Sequence, residues 1–330
     1  MATTGRQPMH RNRRNMMTAL AGLTLAGVMP ARAANWPQGP QTFVVPYTPG
    51  GGTDMLARAL GQTVGLKLGT SVIVDNRSGA GGNIGAALVA HDNSNSKWLF
   101  TTNSIAISAS LYKGLNYSIE GDLVAVSMIT KSPLLLVVPG SGRIRTLEQL
   151  IELSKAKPDG LNYGSTGVGS VTHLGSALLV KTLGIKALHI PYKGASQITT
   201  ALLANQIDFA MIGTPGAVPS LRQGTLRLLG VMGDYLPPGI AEAPLLSKQY
   251  PELHVEIWQA VFAPKSMPRA AVQRMHTEVQ AVLKDSSVAR TIAADGAVPL
   301  TLSQAGSAKF IAEDIERYRK ILAVLKLGAT

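Results

Sequence analysis

The sequence predicts an α/β fold of alternating strands and helices, and three observations carry that expectation. Short apolar runs recur at 42–46, 72–74, 98–101, 124–129, 134–138, 187–190, 207–212, 226–232 and 255–262. Stretches with helical spacing lie between many of them, and strands alternating with helices indicate parallel βαβ units. The composition is 45% hydrophobic and only 15% charged, which supplies a core and excludes a disordered chain.

The N-terminus reads separately. Arg11, Arg13 and Arg14 precede an uncharged stretch from Met16 to Ala31, and Ala31-Arg32-Ala33 has the small-x-small form of a cleavage site. This predicts a cleaved signal peptide over 1–33 and an exported, periplasmic chain beginning near Ala34. The stretch is too short and too weakly apolar for the ~20-residue span of a membrane anchor. Arg13-Arg14 fits a twin-arginine route, although Asn15-Met16-Met17 continues that motif poorly. Residues 1–33 also hold five arginines and no acid, so the net charge of +12 falls to +7 beyond them. That excess is scattered and does not alternate with aromatics, which excludes a nucleic-acid footprint and leaves a mild field favouring small anions.

Four loops then follow strands or turns. Pro46-Tyr-Thr-Pro-Gly-Gly-Gly-Thr-Asp54 offers bare backbone before a helix, with Thr53 or Asp54 as its cap. Asn76-Arg-Ser-Gly-Ala-Gly-Gly-Asn-Ile-Gly85 is of the same type. Its glycines also suit plain close packing of a helix on a sheet, and Arg77 suits an ion pair with a nearby acid better than a ligand clamp. Tyr163-Gly-Ser-Thr-Gly-Val-Gly-Ser-Val-Thr-His173 adds hydroxyls to free N–H groups, and Pro191-Tyr-Lys-Gly-Ala-Ser196 is the fourth. Such loops lie at the carboxyl ends of strands in an open α/β sheet, where ligands bind.

Later elements read as scaffold. Pro268 opens a helix with Val272, Met275, Val279, Val282 and Leu283 on its inner face. Ile311, Ile315, Tyr318, Leu322 and Leu325 form one stripe of a last helix, with Glu313→Arg317 and Glu316→Lys320 as expected ion pairs. Turn-rich segments at Pro139-Gly-Ser-Gly142 and Tyr235–Pro251 predict a domain over 139–252 inserted between 34–138 and 253–330, with two crossing strands as the hinge.

Enzyme chemistry finds little support. Cysteine is absent, which removes thiolate metal sites and cysteine nucleophiles. The six histidines are dispersed, so no metal site is expected. There is no P-loop, no dinucleotide fingerprint and no G-x-S-x-G elbow, and no cofactor is expected. Acids near the loops are few: Asp54, Asp75 and Asp208. A hydrolase using Ser165 or Ser170 with His173 lacks an orienting acid.

The loops themselves resemble a known family. Val45-Pro-Tyr-Thr-Pro-Gly-Gly-Gly-Thr-Asp54 with Ala57-Arg58 is similar to the opening of the Bug family, the extracytoplasmic solute receptors of tripartite tricarboxylate transporters. Val74–Gly85, with Ser78 where proline is usual, resembles its second signature. Leu111-Tyr-Lys113, Tyr117, Tyr163–Ser170 with His173-Leu174, His189-Ile-Pro-Tyr-Lys-Gly194 and Trp258-Gln-Ala260 follow in order, so the resemblance covers nearly all of 36–325. It implies a class II periplasmic-binding-protein fold, two α/β domains joined by a two-strand hinge, holding a small carboxylate largely by main chain. The ligand contacts it implies are Tyr47, Gly51, Gly52, Thr53, Asp54 and Asn103 or Ser104 from the first domain. From the second they are Ser165, Thr166, Gly167, Gly169, Ser170, His173 and Tyr192, with Thr214 on the pocket wall. The implied partners are the integral membrane subunits of a tripartite transporter, around a receptor expected to be a monomer. A sensor feeding a membrane signalling kinase is the alternative. Where the family often has an acid or amide after the strand at 207–211, this chain has Gly213-Thr214-Pro215. An aliphatic or aromatic carboxylate is therefore expected before a ligand with an amino group.

Overall fold

The computed structural model describes residues 36–325 apart from Lys113 and Lys193; the leader segment 1–33 lies outside the described residues. Ten strands form one sheet, in the order β2-β1-β3-β9-β4-β7-β5-β6, with β8 and β10 also on β4. The strands are β1 Gln41–Val45, β2 Val72–Asn76, β3 Lys97–Thr102, β4 Leu123–Pro139, β5 Leu161–Ser165, β6 Ala187–Pro191, β7 Phe209–Gly213, β8 Leu226–Met232, β9 Glu256–Pro264 and β10 Val298–Pro299. The sheet is mixed and not purely parallel. β1 runs parallel to β2 and β3, and β5 to β6 and β7, but every pairing of β4 and β9 is antiparallel.

β4 organises the molecule. The sequence suggests two strands here, and the structure has one, continuous through Pro133. Leu123 to Pro133 pair with β9, whereas from Leu134 onward the partners are β7 and β8. Proline's missing donor is tolerated because it falls where the strand changes partners. The chain leaves the first half of the sheet along β4 and returns after β8 through an irregular segment holding a short helix, Leu246–Gln249, into β9, which begins opposite Pro133. β5 was not foreseen: Asn162 and Gly164 break its apolar run, and pairing on both sides supplies what its propensity lacks.

Helices follow the strands: α1 Gly52–Leu68, α2 Asn83–Ala90, α3 Ser104–Leu111, α4 Leu147–Ala156, α5 Val171–Thr182, α6 Ala195–Leu203 and α7 Thr214–Arg222. After the short α8 come α9 Arg269–Val282, α10 Ser286–Ala294 and α11 Gln304–Leu325. Pro268 is the residue before α9, and the inner face read from the sequence is buried there. A continuous apolar cluster runs from Val44 and Leu99 through Leu134 and Leu136 to Leu174 and Phe209. No helix among the described residues is long and apolar enough to cross a membrane.

α11 is fixed by a buried polar contact that its apolar stripe hides. Trp258 Nε1 donates to Asp314 Oδ2 at 2.6 Å, and Arg317 pairs with the same carboxylate instead of Glu313. Glu316 meets Arg319, not Lys320. Trp258→Phe keeps most of the apolar burial but removes the donor, so it is expected to cost about 1–3 kcal/mol. Urea unfolding checks this, and an unchanged midpoint would show that the bond contributes nothing.

Candidate functional site

The triple-glycine loop ends β1 and opens α1, but neither Thr53 nor Asp54 caps the helix. The residue before it is Gly51, which makes no side-chain cap, and no side chain among the described residues bonds the free N–H groups there. Asp54 is buried and turned back into its own loop. It accepts from Gly50 N (2.9 Å), from Arg58 Nε (3.0 Å) and from Asn76 Nδ2 (3.0 Å). Burial pulls its pKa upward, but these bonds outweigh that and hold it below the usual carboxylate range. Asp54 therefore braces the loop while Gly52 and Thr53 present bare backbone. Asn76 ties the brace to the second loop by donating also to Tyr47 O at 3.1 Å.

Tyr47 reaches the end of β3, where its hydroxyl lies 2.7 Å from Thr102 Oγ1 and 3.2 Å from Thr101 Oγ1. Asn103 is wholly buried and faces away from the loop. Its Nδ2 donates to Glu256 O (2.7 Å) and Tyr318 Oη (2.5 Å), and its Oδ1 has no partner. Ser104 N donates to Thr102 Oγ1 at 3.3 Å. Arg77 pairs with Asp75, as its setting suggests.

The Ser165–Ser170 turn is a closed hydrogen-bond knot. Ser165 Oγ receives Gly167 N at 3.1 Å and lies 2.6 Å from His189 Nε2. Thr166 N and Oγ1 both meet Thr172 Oγ1 at 2.9 Å. Ser170 Oγ donates to Gly167 O at 2.7 Å and receives His173 N at 3.2 Å, capping α5. Tyr192 N donates to Ser165 O, which joins the fourth loop to the third. His173 is buried in a stack with His189 (4.0 Å between ring centres), which stacks in turn on Tyr163 (5.1 Å). Gly169 N donates to His173 Nδ1, so the neutral ring carries its proton on Nε2. Burial, with His189 second, pushes the His173 pKa down to about 4, and burial also lowers that of His189. The serine–imidazole pair present is thus Ser165–His189, not a pair with His173. No carboxylate bonds the His189 ring among the hydrogen bonds of the described residues.

The two halves of the sheet meet on two flanks, in each case through residues outside the predicted set. On one, Tyr112 Oη donates to Val168 O at 3.4 Å, and a Cβ on Gly169 would stand 2.7 Å from Leu111 Cδ2, so the turn packs directly on the end of α3. On the other, the turn after α10 fills the space between α1 and α7. A Cβ on Gly52 would overlap Asp295 Oδ1, and one on Gly296 would stand 2.5 Å from Thr214 Cβ. Thr214 opens α7, whose preceding residue Gly213 also makes no side-chain cap. Two uncapped helix starts therefore face the same turn.

Asp295 and Gln259 are the residues that sequence reasoning missed here. Gln259 Nε2 donates to Asp295 Oδ2 at 3.1 Å, and burial pushes the Asp295 carboxyl up to about 6. Gln259 Oε1 and Thr214 Oγ1 are buried without partners among the described residues. An acid therefore stands beside the Thr214 wall, where the apolar sequence Gly213-Thr214-Pro215 suggests none. A groove of about 550 Å³ beside Lys181, Lys186 and Leu325 touches none of the predicted contacts. Among the described residues no group of His, Asp or Glu is placed to hold a metal ion.

Residues 56–327 match the family described as the tripartite tricarboxylate transporter family receptor. The periplasmic binding protein BugD superposes with a TM-score of 0.81 at 26% identity, over 89% of this chain and 100% of that one. An R. palustris protein solved with adipate gives 0.82 at 29%, over 88% and 99%. MatC from Rhodopseudomonas palustris with bound malate gives 0.79 at 25%, over 87% and 100%. The mixed sheet joined through β4 is thus the periplasmic-binding-protein fold, and the chain belongs to the Bug-type receptors of the tripartite tricarboxylate transporter family.

Proposed function

We propose that the protein is a periplasmic receptor that captures a small organic carboxylate between two domains and delivers it to the membrane subunits of a tripartite transporter. The bodies are 34–138 with 253–330, and 139–252, and a cleaved leader exports the chain. The observation that carries the reading is the pair of uncapped helix starts, α1 and α7, facing one another across the Asp295-Gly296 turn. Aligned N–H groups attract an anion without a fixed cationic side chain. The ligands bound by the adipate and malate proteins are of the same class. Capture requires no catalytic step and no cofactor, and one chain supplies both walls. Affinity near 1 μM corresponds to about −8 kcal/mol, within reach of several charge-assisted bonds in a closed cleft.

Adipate, malate, benzoate and nicotinate are the first ligands to test. A binder at about one hundred times its Kd should raise the melting temperature by roughly 5 °C. Thr53→Ala combined with Thr214→Ala should reduce that shift without lowering the ligand-free melting temperature by a comparable amount. If no carboxylate from a broad panel moves the transition, the receptor reading fails. Loss of carboxylate uptake on deleting the chain in cells identifies delivery, whereas intact uptake with a lost kinase-dependent response identifies the sensor.

A further inference from the structure

Asp295 occupies an unusual position for an acid. Its carboxylate lies against Gly52, at the start of the helix whose N–H groups are uncapped, and its neighbour Gly296 touches Thr214 at the start of α7. The acid thus stands between the two anion-attracting surfaces of the proposed cleft. Its one side-chain hydrogen bond in the described structure is from Gln259 Nε2, and the oxygen of that same amide is buried with no partner. A protonated Asp295 would supply the donor that Gln259 Oε1 needs.

Among the described residues no cationic side chain bonds Asp295. From α1, Asp54 and Arg58 are bonded to each other and to Asn76. From β4 and β9, Lys131 is paired with Asp234 and Glu256. Tyr235, whose hydroxyl donates to Lys131 O and to Gly296 O, is a neutral phenol whose pKa is raised by burial and by Glu256, Asp234 and Asp295. On α10 itself Arg290 acts on Asp285. Among the described residues none of these cations is left to neutralise Asp295 when a second negative charge arrives beside it, and two close carboxylates do not both stay ionised in a desolvated site.

We infer that Asp295 is a specificity-determining residue that makes the cleft take up its carboxylate ligand together with one proton. The proton comes from solvent and rests on the Asp295 carboxyl. This rests on the carboxylate-receptor reading above. It also deepens it, because the receptor then favours acidic surroundings and discriminates against ligands that bring the cleft more uncompensated negative charge.

Titration calorimetry on the full mature chain with adipate and malate tests this, on wild type and Asp295→Asn. With the free carboxyl at about 6, wild-type affinity should fall roughly fifty-fold from pH 6 to pH 8. Near pH 8, heats measured in phosphate and in Tris should give close to one proton taken up per ligand. Asp295→Asn carries the neutral form's shape, so its affinity should vary by less than about three-fold over the same range, with no proton uptake. A wild-type affinity flat with pH, or a slope that persists in Asp295→Asn, overturns the inference while leaving the receptor reading intact. Binding of glutamate but not adipate, strongest above pH 6 and lost in Asp295→Asn, also overturns it, because Asp295 would then be the counter-ion of an ammonium group. Absence of carboxylate binding at every pH in both proteins removes the receptor reading and the inference with it.

Discussion

Gly296→Val should lower stability by about 3–5 kcal/mol, and the loss has two separable parts. Gly296 has φ +64°, the left-handed region, and a side chain there costs about 1–2 kcal/mol, more when β-branched. The second part is steric. The new Cβ would stand 2.5 Å from Thr214 Cβ and 2.7 Å from its Oγ1, and the Thr214 backbone opens α7, so no flexible end can yield. Overpacking of this kind costs about 1–3 kcal/mol. The turn lies between α1 and α7, so the same substitution should weaken carboxylate binding in step with the steric part. Gly296→Ala separates the two effects. Combined with Thr214→Gly it should recover the steric fraction and leave the backbone fraction. Urea unfolding of the four proteins measures the coupling as a double-mutant cycle. Additive losses would show that Gly296 and Thr214 do not share the contact.

That contact joins residues from distant parts of the chain, and this marks the limit of what the sequence displays. The strand at 226–232 was readable to the residue, because its five apolar residues, with only Arg227 and Gly230 among them, form a short run bounded by turns. The Gly-rich loops were readable as loops, and the uncapped start of α1 follows from glycine at Gly50 and Gly51. Asp295 was not readable. Ala294-Asp-Gly296 has the form of an ordinary helix-ending turn, and nothing local places it beside Gly52. Asp54 failed in the opposite sense: next to three glycines it looks like a cap or a ligand contact, whereas Arg58 and Asn76 hold it as a brace. The Ser165–His189 pair was hidden for a similar reason. Parallel pairing of β5 with β6 sets Tyr163 opposite His189, and no spacing in the chain reports that register.

The pH dependence of stability should expose Asp295 and His173 as opposing contributions that nearly cancel in the wild type. His173 has an unfolded pKa of 6.5 and a folded value of about 4. The unfolded chain binds the proton more readily, so His173 contributes stability that is complete above 6.5 and is lost as pH falls toward 4. At 1.36 kcal/mol per unit the loss is roughly 3 kcal/mol. His189, lowered in the same direction, adds to this slope. Asp295 runs the other way, from 3.8 unfolded to about 6 folded. The folded chain holds that proton more tightly, so stability falls by roughly 3 kcal/mol as pH rises from 3.8 to 6 and stays lower beyond. Between pH 4 and 6 the wild type should therefore be nearly flat, tilting gently upward through His189. Asp295→Asn should be the more stable protein at neutral pH and should steepen the profile to roughly 1.4 kcal/mol per pH unit below 6.5. His173→Gln should reverse the tilt, leaving stability that declines toward neutral pH. Urea unfolding at half-unit steps distinguishes these cases. If Asp295→Asn is no more stable than wild type at neutral pH, burial does not raise the Asp295 pKa, and the two slopes do not belong to these residues.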